Sequence, residues 1–220
     1  MNFAKILITL IAFQLLSAAS FAQNASHIQL TKRQCDSLKK EIDIMVANDQ
    51  KYRWMLTYGE TDPQKLKEIR AMDEQSKAVR MQQARANKVG ISQAKKDSLS
   101  RLQSEIDSVN FSKMSGIIYK YGVPECLEAY KVSLFFIHCS DLISDDFLSL
   151  LKQEVKDKHY PGLEYATIYD DVQTYRKLPE LYYVSEYYNT TTKTSASKVP
   201  LDLAATNKAR KEIGLKRLKK

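Results

Sequence analysis

His138 stands in the most apolar stretch after residue 22, Val132 to Cys139, with Asp141 three residues further on. On a helix that spacing puts both side chains on one face. A buried imidazole must satisfy two ring nitrogens. A carboxylate on one of them leaves the other oriented as a general base or a ligand. The same residues also make a plain core histidine, settled by Asp141 or a backbone carbonyl. Asp107 is the carboxylate expected to approach from another helix, so His138, Asp141 and Asp107 are the catalytic candidates. A metal centre would need three or four ligands with paired spacing. The only ligands on offer are His138 and Asp141, with Asp107 or Asp170 from elsewhere, a set without paired spacing, so no metal site is assigned and no cofactor is named. It also lacks a Gly-rich phosphate loop, a nucleophile elbow, a paired Cys-x-x-Cys and a zinc-protease helix motif.

Asp49 and Arg53 stand four apart with the acid first, the better order for a helix pair. Exposed, such a pair contributes about 0.3–0.5 kcal/mol. Buried against Trp54, it would clamp a ligand carboxylate or phosphate. Asp107 and Asn110 read as the end of one helix and the cap of the next. Asn207 and Arg210 read as ties from the last helix to the core. With Asp49, Arg53, Asn110 and Asp170 they complete the candidate ligand contacts. The eight tyrosines from Tyr160 to Tyr188 read as core packing rather than a sugar-binding surface.

These residues need elements to hold them. The first 22 residues follow the order of an export signal: Lys5, an apolar run from Ile6 to Leu16, then Ser20-Phe21-Ala22. The run is too short to span a bilayer, so the expected product is a periplasmic or secreted protein that is not integral to a membrane. Residues 23–96 carry a formal +6, residues 97–207 carry −5 and residues 208–220 carry +6. Two basic segments flanking an acidic one do not make a groove-facing basic surface, so no nucleic-acid partner is expected. The basic tail, residues 216–220, is expected to be frayed and open to an acidic envelope polymer or protein partner.

The periodicity predicts a helix from Thr31 to Leu56, broken at Gly59. A second is capped by Asp62 with Pro63 at its first position and runs to about Asn87. A third covers Ser92–Asp107 and a fourth Phe111–Tyr121. The stretch 125–142 reads as one buried helix, followed by helices over 147–158 and 161–175. Leu181 to Val184 and Tyr187-Tyr188 are β-prone, with 189–198 as a polar loop, so one small β-hairpin is expected there. Asp202 caps a last helix. The fold class is mainly α, a single multi-helix domain over residues 23–215. Cys126 and Cys139 would lie on one helix, out of disulfide reach. Buried free thiols are therefore expected, and any bridge must use Cys35.

Several patterns recur in order: Asp49-Gln50-x-x-Arg53, Ile106-Asp107-x-x-Asn110, Ile117-Ile118-x-x-Tyr121-Gly122-Val123-Pro124, His138-x-x-Asp141, Tyr165-Ala166 before Asp170, and Asn207-x-x-Arg210-x-x-x-Gly214-Leu215. Over about residues 40–215 this set resembles a bacterial domain-of-unknown-function family, number 6624 in that series. The resemblance implies a fold and no activity. The chain departs from the family at Val123 (commonly Trp), at Asp171 (Arg) and at Tyr183-Val184-Ser185 (a Tyr-Gly-Thr step). Two functions are carried forward. One is a non-enzymatic binding or envelope-interaction module; the other is a hydrolase-like or metal-assisted enzyme with a His/Asp centre.

Overall fold

The structure, a computed structural model, describes residues 29–86, 90–184, 186–189, 194–197 and 199–219, so the expected export signal lies outside the described residues. Among them are eight α-helices and one two-stranded ladder. No described helix is long and apolar enough to cross a membrane.

Helix α1, Lys32–Tyr58, starts at a capping box: the Thr31 hydroxyl accepts the Gln34 N–H, and the Gln34 side chain accepts the Thr31 N–H. Gly59 ends it in the left-handed region at φ 61°. Helix α2, Pro63–Ala71, is capped by Asp62. The single helix expected over 63–87 is in fact two. Met72 turns extended, and Asp73 takes the Ser76 N–H at 2.9 Å to start α3, Glu74–Arg85. An Asp inside a helical run offers the backbone a competing cap, and this run has too little apolar surface to resist.

The next two expected helices are one. No break separates 107 from 111: α4, Gln93–Tyr121, runs for 29 residues, about 43 Å at the α-helical rise. Asp107 and Asn110 sit in mid-helix and cap nothing. Packing against α1 overrides their capping tendency, and Nδ2 of Asn110 donates to the Met45 carbonyl at 3.4 Å. Lys113 pairs with Glu41 and Arg53 with Asp107, so the two long helices are antiparallel.

Helix α5 covers only Ala129–Ile137. Residues 124–127 form a turn, closed by the Leu127 N–H on the Pro124 carbonyl. Cys126 therefore lies off the helix, and it is disulfide-bonded to Cys35 with Cα atoms 6.0 Å apart. This corrects the expectation of three free thiols; only Cys139 is free, and it is buried. A 3-10 turn, Ser140–Leu142, leads to α6, Asp145–Lys156, and Pro161 leads to α7, Gly162–Tyr175.

The strand expected at Leu181–Val184 is absent. Tyr183 adopts φ 51°, and the Leu181, Tyr182 and Val184 N–H groups all turn onto the Asp170 carboxylate at 2.9, 2.9 and 3.3 Å. A carboxylate has taken the donors a ladder would need. Pairing instead joins β1, Glu186–Asn189, to β2, Thr194–Ser197, antiparallel with Glu186 opposite Ser197. Helix α8, Leu203–Glu212, follows. A Cβ on Gly162 would meet the Ile213 carbonyl oxygen at 1.9 Å, so only glycine lets the end of α8 close onto α7.

One core cluster joins Ile42 and Met45 of α1, Met114 and Ile118 of α4, Phe135 and Phe136 of α5, Phe147 and Leu151 of α6 and Tyr165 and Ile168 of α7, with Tyr182 and Ile213. Tyr182 stacks its edge on Tyr165 and Tyr169 at 5.7 and 5.2 Å. Outside this cluster, Tyr58, Leu66, Ile69, Ala84 and Leu99 are buried at the other end of α1 and α4. There Arg70 lies 4.4 Å over the Trp54 ring, and Arg80 donates to the Tyr58 carbonyl.

Candidate functional site

Three elements meet where the middle of α1 crosses α4 and the end of α5. Asp49 and Arg53 lie on the inner face of α1, one turn apart. Gln103 and Asp107 are one turn apart on α4. His138 caps α5 at φ −86° and ψ −9°. Ligand atoms of Asp49, Asp107 and His138 all fall within 4.8 Å of one another.

Asp49 is the hub and is fully buried. Its Oδ1 lies 3.1 Å from Nδ1 of His138, and its Oδ2 accepts from Gln50 Nε2 at 2.7 Å and Arg53 Nε at 3.4 Å. Nη2 of Arg53 lies 2.6 Å from Asp107 Oδ1, so one guanidinium spans both carboxylates. Nε2 of Gln103 donates to Asp107 at 2.7 Å, while its Oε1 is buried without a partner among the described residues. The side chains of His138 and Arg53 keep 18% and 25% of their surface. The centre is not sealed.

Burial pushes the Asp49 carboxyl upward, but the His138 hydrogen bond and the charges of His138 and Arg53 outweigh it and hold it below the usual value. Asp107 goes the other way: burial wins over Gln103 and Arg53, and the nearby Asp49 charge adds to the rise. Burial also raises Asp170, above what its three backbone donors recover. An ionised Asp49 only accepts, so the N–H of His138 belongs on Nδ1. In the neutral ring Nε2 then carries the lone pair, and it makes no hydrogen bond among the described residues. The Cys139 thiol, pushed up to about 12 by burial and by the Asp107 and Asp141 charges, is no nucleophile.

These shifts set a pH dependence. Asp49 stays ionised to lower pH in the folded protein, so it adds stability above its ordinary 3.8 and loses it as pH falls through the lowered value. Asp107 is reversed. The folded protein binds its proton before the unfolded chain does, so that residue's contribution improves as pH falls from neutral toward 3.8. Replacing Asp107 by Asn should therefore flatten the stability change between neutral and mildly acidic pH. Urea titrations at several pH values measure it, and parallel pH profiles for parent and Asp107→Asn would sink the assignment.

The structure redistributes the sequence candidates. His138 and Asp107 meet, joined by Asp49 and Arg53, which the spacing had grouped separately. Asp141 does not join: α5 stops at Ile137, and Asp141 is exposed on the 3-10 turn. Its place is taken by Asp49, 89 positions away in sequence. Asn110 lies beside the centre on α4, tied to the Met45 carbonyl. Asp170, Asn207 and Arg210 are elsewhere and hold backbone. Arg210 donates to the Tyr182 and Lys216 carbonyls, and Asn207 exchanges two hydrogen bonds with Leu218. The tail expected to fray beyond Leu215 is thus tied to α8. Asp171, where the resembled family has a cation, accepts the Ser140 hydroxyl at 2.7 Å. Gln50 and Gln103, both contacts of the centre, were missed as site residues, although Gln50 sits inside the Asp49 motif. No family model, curated protein or solved structure matches the chain.

Proposed function

We propose that the protein is an exported, hydrolase-like acid–base enzyme whose working atom is Nε2 of His138. One observation carries this reading: a fully buried carboxylate, Asp49, takes Nδ1 of an imidazole that keeps 18% of its surface, and Nε2 has no hydrogen-bond partner among the described residues. That arrangement fixes tautomer and ring direction together. Such a base contributes typically about 10²–10⁴ in rate. With the neighbouring thiol protonated, the group for His138 to deprotonate is a water. Its proton passes to Nε2, its oxygen attacks the substrate, and Nε2 returns the proton to the leaving group. The unpartnered Oε1 of Gln103 adds a buried acceptor next to Asp107. Asp49, Asp107 and His138 also have the donor types of a cation site, but a divalent ion would have to displace Arg53 from both carboxylates. Proton chemistry fits this charge arrangement better. The Cys35–Cys126 bond supports an oxidising compartment outside the cytosol, in keeping with the export-like first 22 residues.

The test is turnover of p-nitrophenyl acetate, p-nitrophenyl phosphate and p-nitrophenyl glycosides by the full chain. At least one should be hydrolysed, and His138→Gln, which keeps a donor for Asp49, should lose about a hundredfold or more. No turnover of any probe, or equal turnover by the variant, overturns the reading. A second reading, a non-enzymatic module with an acidic envelope partner, is favoured by a different surface: the exposed cations of α8 and of the segment tied along it.

A further inference from the structure

Lys208 and Lys211 of α8, and Lys216, Arg217 and Lys219 after it, are all exposed. Among the described residues none of the five makes an ion pair, whereas Lys77, Lys113 and Lys131 each face a carboxylate. The one acid of residues 208–219, Glu212, pairs with Lys152 at 3.1 Å and also feels the charges of Lys208 and Lys156, so Lys216, Arg217 and Lys219 carry most of the uncompensated charge.

The backbone that carries these cations is tied down. The Leu215 N–H returns to the Arg210 carbonyl at 2.8 Å, Arg210 Nε donates to the Lys216 carbonyl at 2.7 Å, and Asn207 grips Leu218 at 3.1 and 2.7 Å. The segment therefore folds back along α8, with residue 216 beside 210 and residue 218 beside 207. Arg210, spent on backbone carbonyls, is a staple and not part of the strip. At the C-terminal end of α8 the strip meets a cavity of about 510 Å³ lined by Lys156, Lys158, His159, Glu212 and Gly214.

Helix dipoles account for Lys156 and Lys211, which close α6 and α8. They do not account for Lys216, Arg217 and Lys219, which lie beyond any helix. Two side chains, Asn207 and Arg210, order a segment outside any helix whose exposed residues are mostly cations. Along an extended segment, Lys216 and Lys219 are separated by about 10 Å. A small anion would reach one or two of these charges. A chain bearing a charge every few ångströms would meet all of them, at little further ordering cost.

We propose that this strip and the cavity at its end form a docking surface for a linear polyanion of repeating phosphate groups. The proposal rests on the second reading above and is independent of His138. Fluorescence titration of the full chain with inorganic polyphosphate tests it. Affinity should fall steeply with added salt. The Lys216→Ala, Arg217→Ala, Lys219→Ala triple variant should bind about tenfold more weakly or worse. A control triple, Lys65→Ala, Lys67→Ala and Lys95→Ala, removes the same charge from α2 and α4 and should bind within about threefold of the parent. Asn207→Ala, which unties the segment at constant charge, should weaken binding severalfold while the helical circular dichroism is kept. Equal losses in the two triples would mean that net charge alone is read, and would overturn the proposal. So would an Asn207→Ala protein that binds like the parent. Failure to bind polyphosphate, or binding only to phosphatidylglycerol vesicles, would overturn it too. Hydrolysis of the nitrophenyl probes should be unchanged in the first triple, so failure here leaves the His138 reading standing.

Discussion

Asp49→Ala should destabilise the protein by about 3–5 kcal/mol, the usual cost of breaking a buried ion pair from one side. The size follows from what is left behind. Gln50 Nε2, Arg53 Nε and His138 Nδ1 all lose their acceptor at once, in a site with no solvent reaching the carboxylate. Arg53 keeps Asp107, which places the cost below that of three independent orphaned donors. Asp49→Asn retains the shape and one acceptor oxygen but sets an amide N–H against donors, so it should fall between the parent and the alanine variant. Urea titration at neutral pH measures both. An alanine variant within about 1 kcal/mol of the parent would show that the network contributes little to folding.

Breaking the disulfide should have an effect of similar size. Cys35 and Cys126 are 91 positions apart, and closing a loop of that length removes enough denatured-state entropy to contribute about 4 kcal/mol. The bond fastens the first turns of α1 to the turn before α5, the two helices that bring Asp49 to His138. The Cys35→Ser, Cys126→Ser double variant avoids mispairing with Cys139. It should unfold at clearly lower urea than the oxidised parent and coincide with the parent in reductant. If the oxidised parent, the reduced parent and the double variant share one midpoint, the bond carries no stability.

Much of the fold was legible because its punctuation is chemical. Thr31, Gly59, Asp62 with Pro63, Ser92, Gly122 and Asp202 mark helix ends through their own side chains or backbone freedom. The errors came where local and tertiary preferences differ. Asp73 sits in a run with helical spacing, and its carboxylate capped the backbone. Asp107 and Asn110 resemble caps, yet the partners that hold them inside a helix lie on α1, out of view of any local pattern.

The site shows the same divide. His138 and Asp107 stood out by type and setting. The partner of His138 was assigned to Asp141 because helical spacing reports only neighbours three or four away. Once α5 stops at Ile137, that spacing no longer brings two side chains together. Asp49 and Arg53 fit an exposed helix pair and a buried clamp alike, and nothing in the order Asp49-Gln50-x-x-Arg53 says that the pair faces inward.

The two long helices carry packing at both ends, and the ends are unequal. The core cluster holds α5 to α8 together, while a smaller set, Tyr58, Leu66, Ile69, Ala84 and Leu99, with Arg70 on Trp54 and Arg80 on the Tyr58 carbonyl, anchors α2, α3 and the start of α4. Proteins open in sub-global units where buried contact is sparse. Amide hydrogens of α2, α3 and the first turns of α4 should therefore exchange through excursions that leave the main core folded. Asp49, Arg53, Gln103 and Asp107 sit at the border between the slow half and the fast half. Thermal breathing of the far end would thus admit water to a buried carboxylate that the static fold encloses.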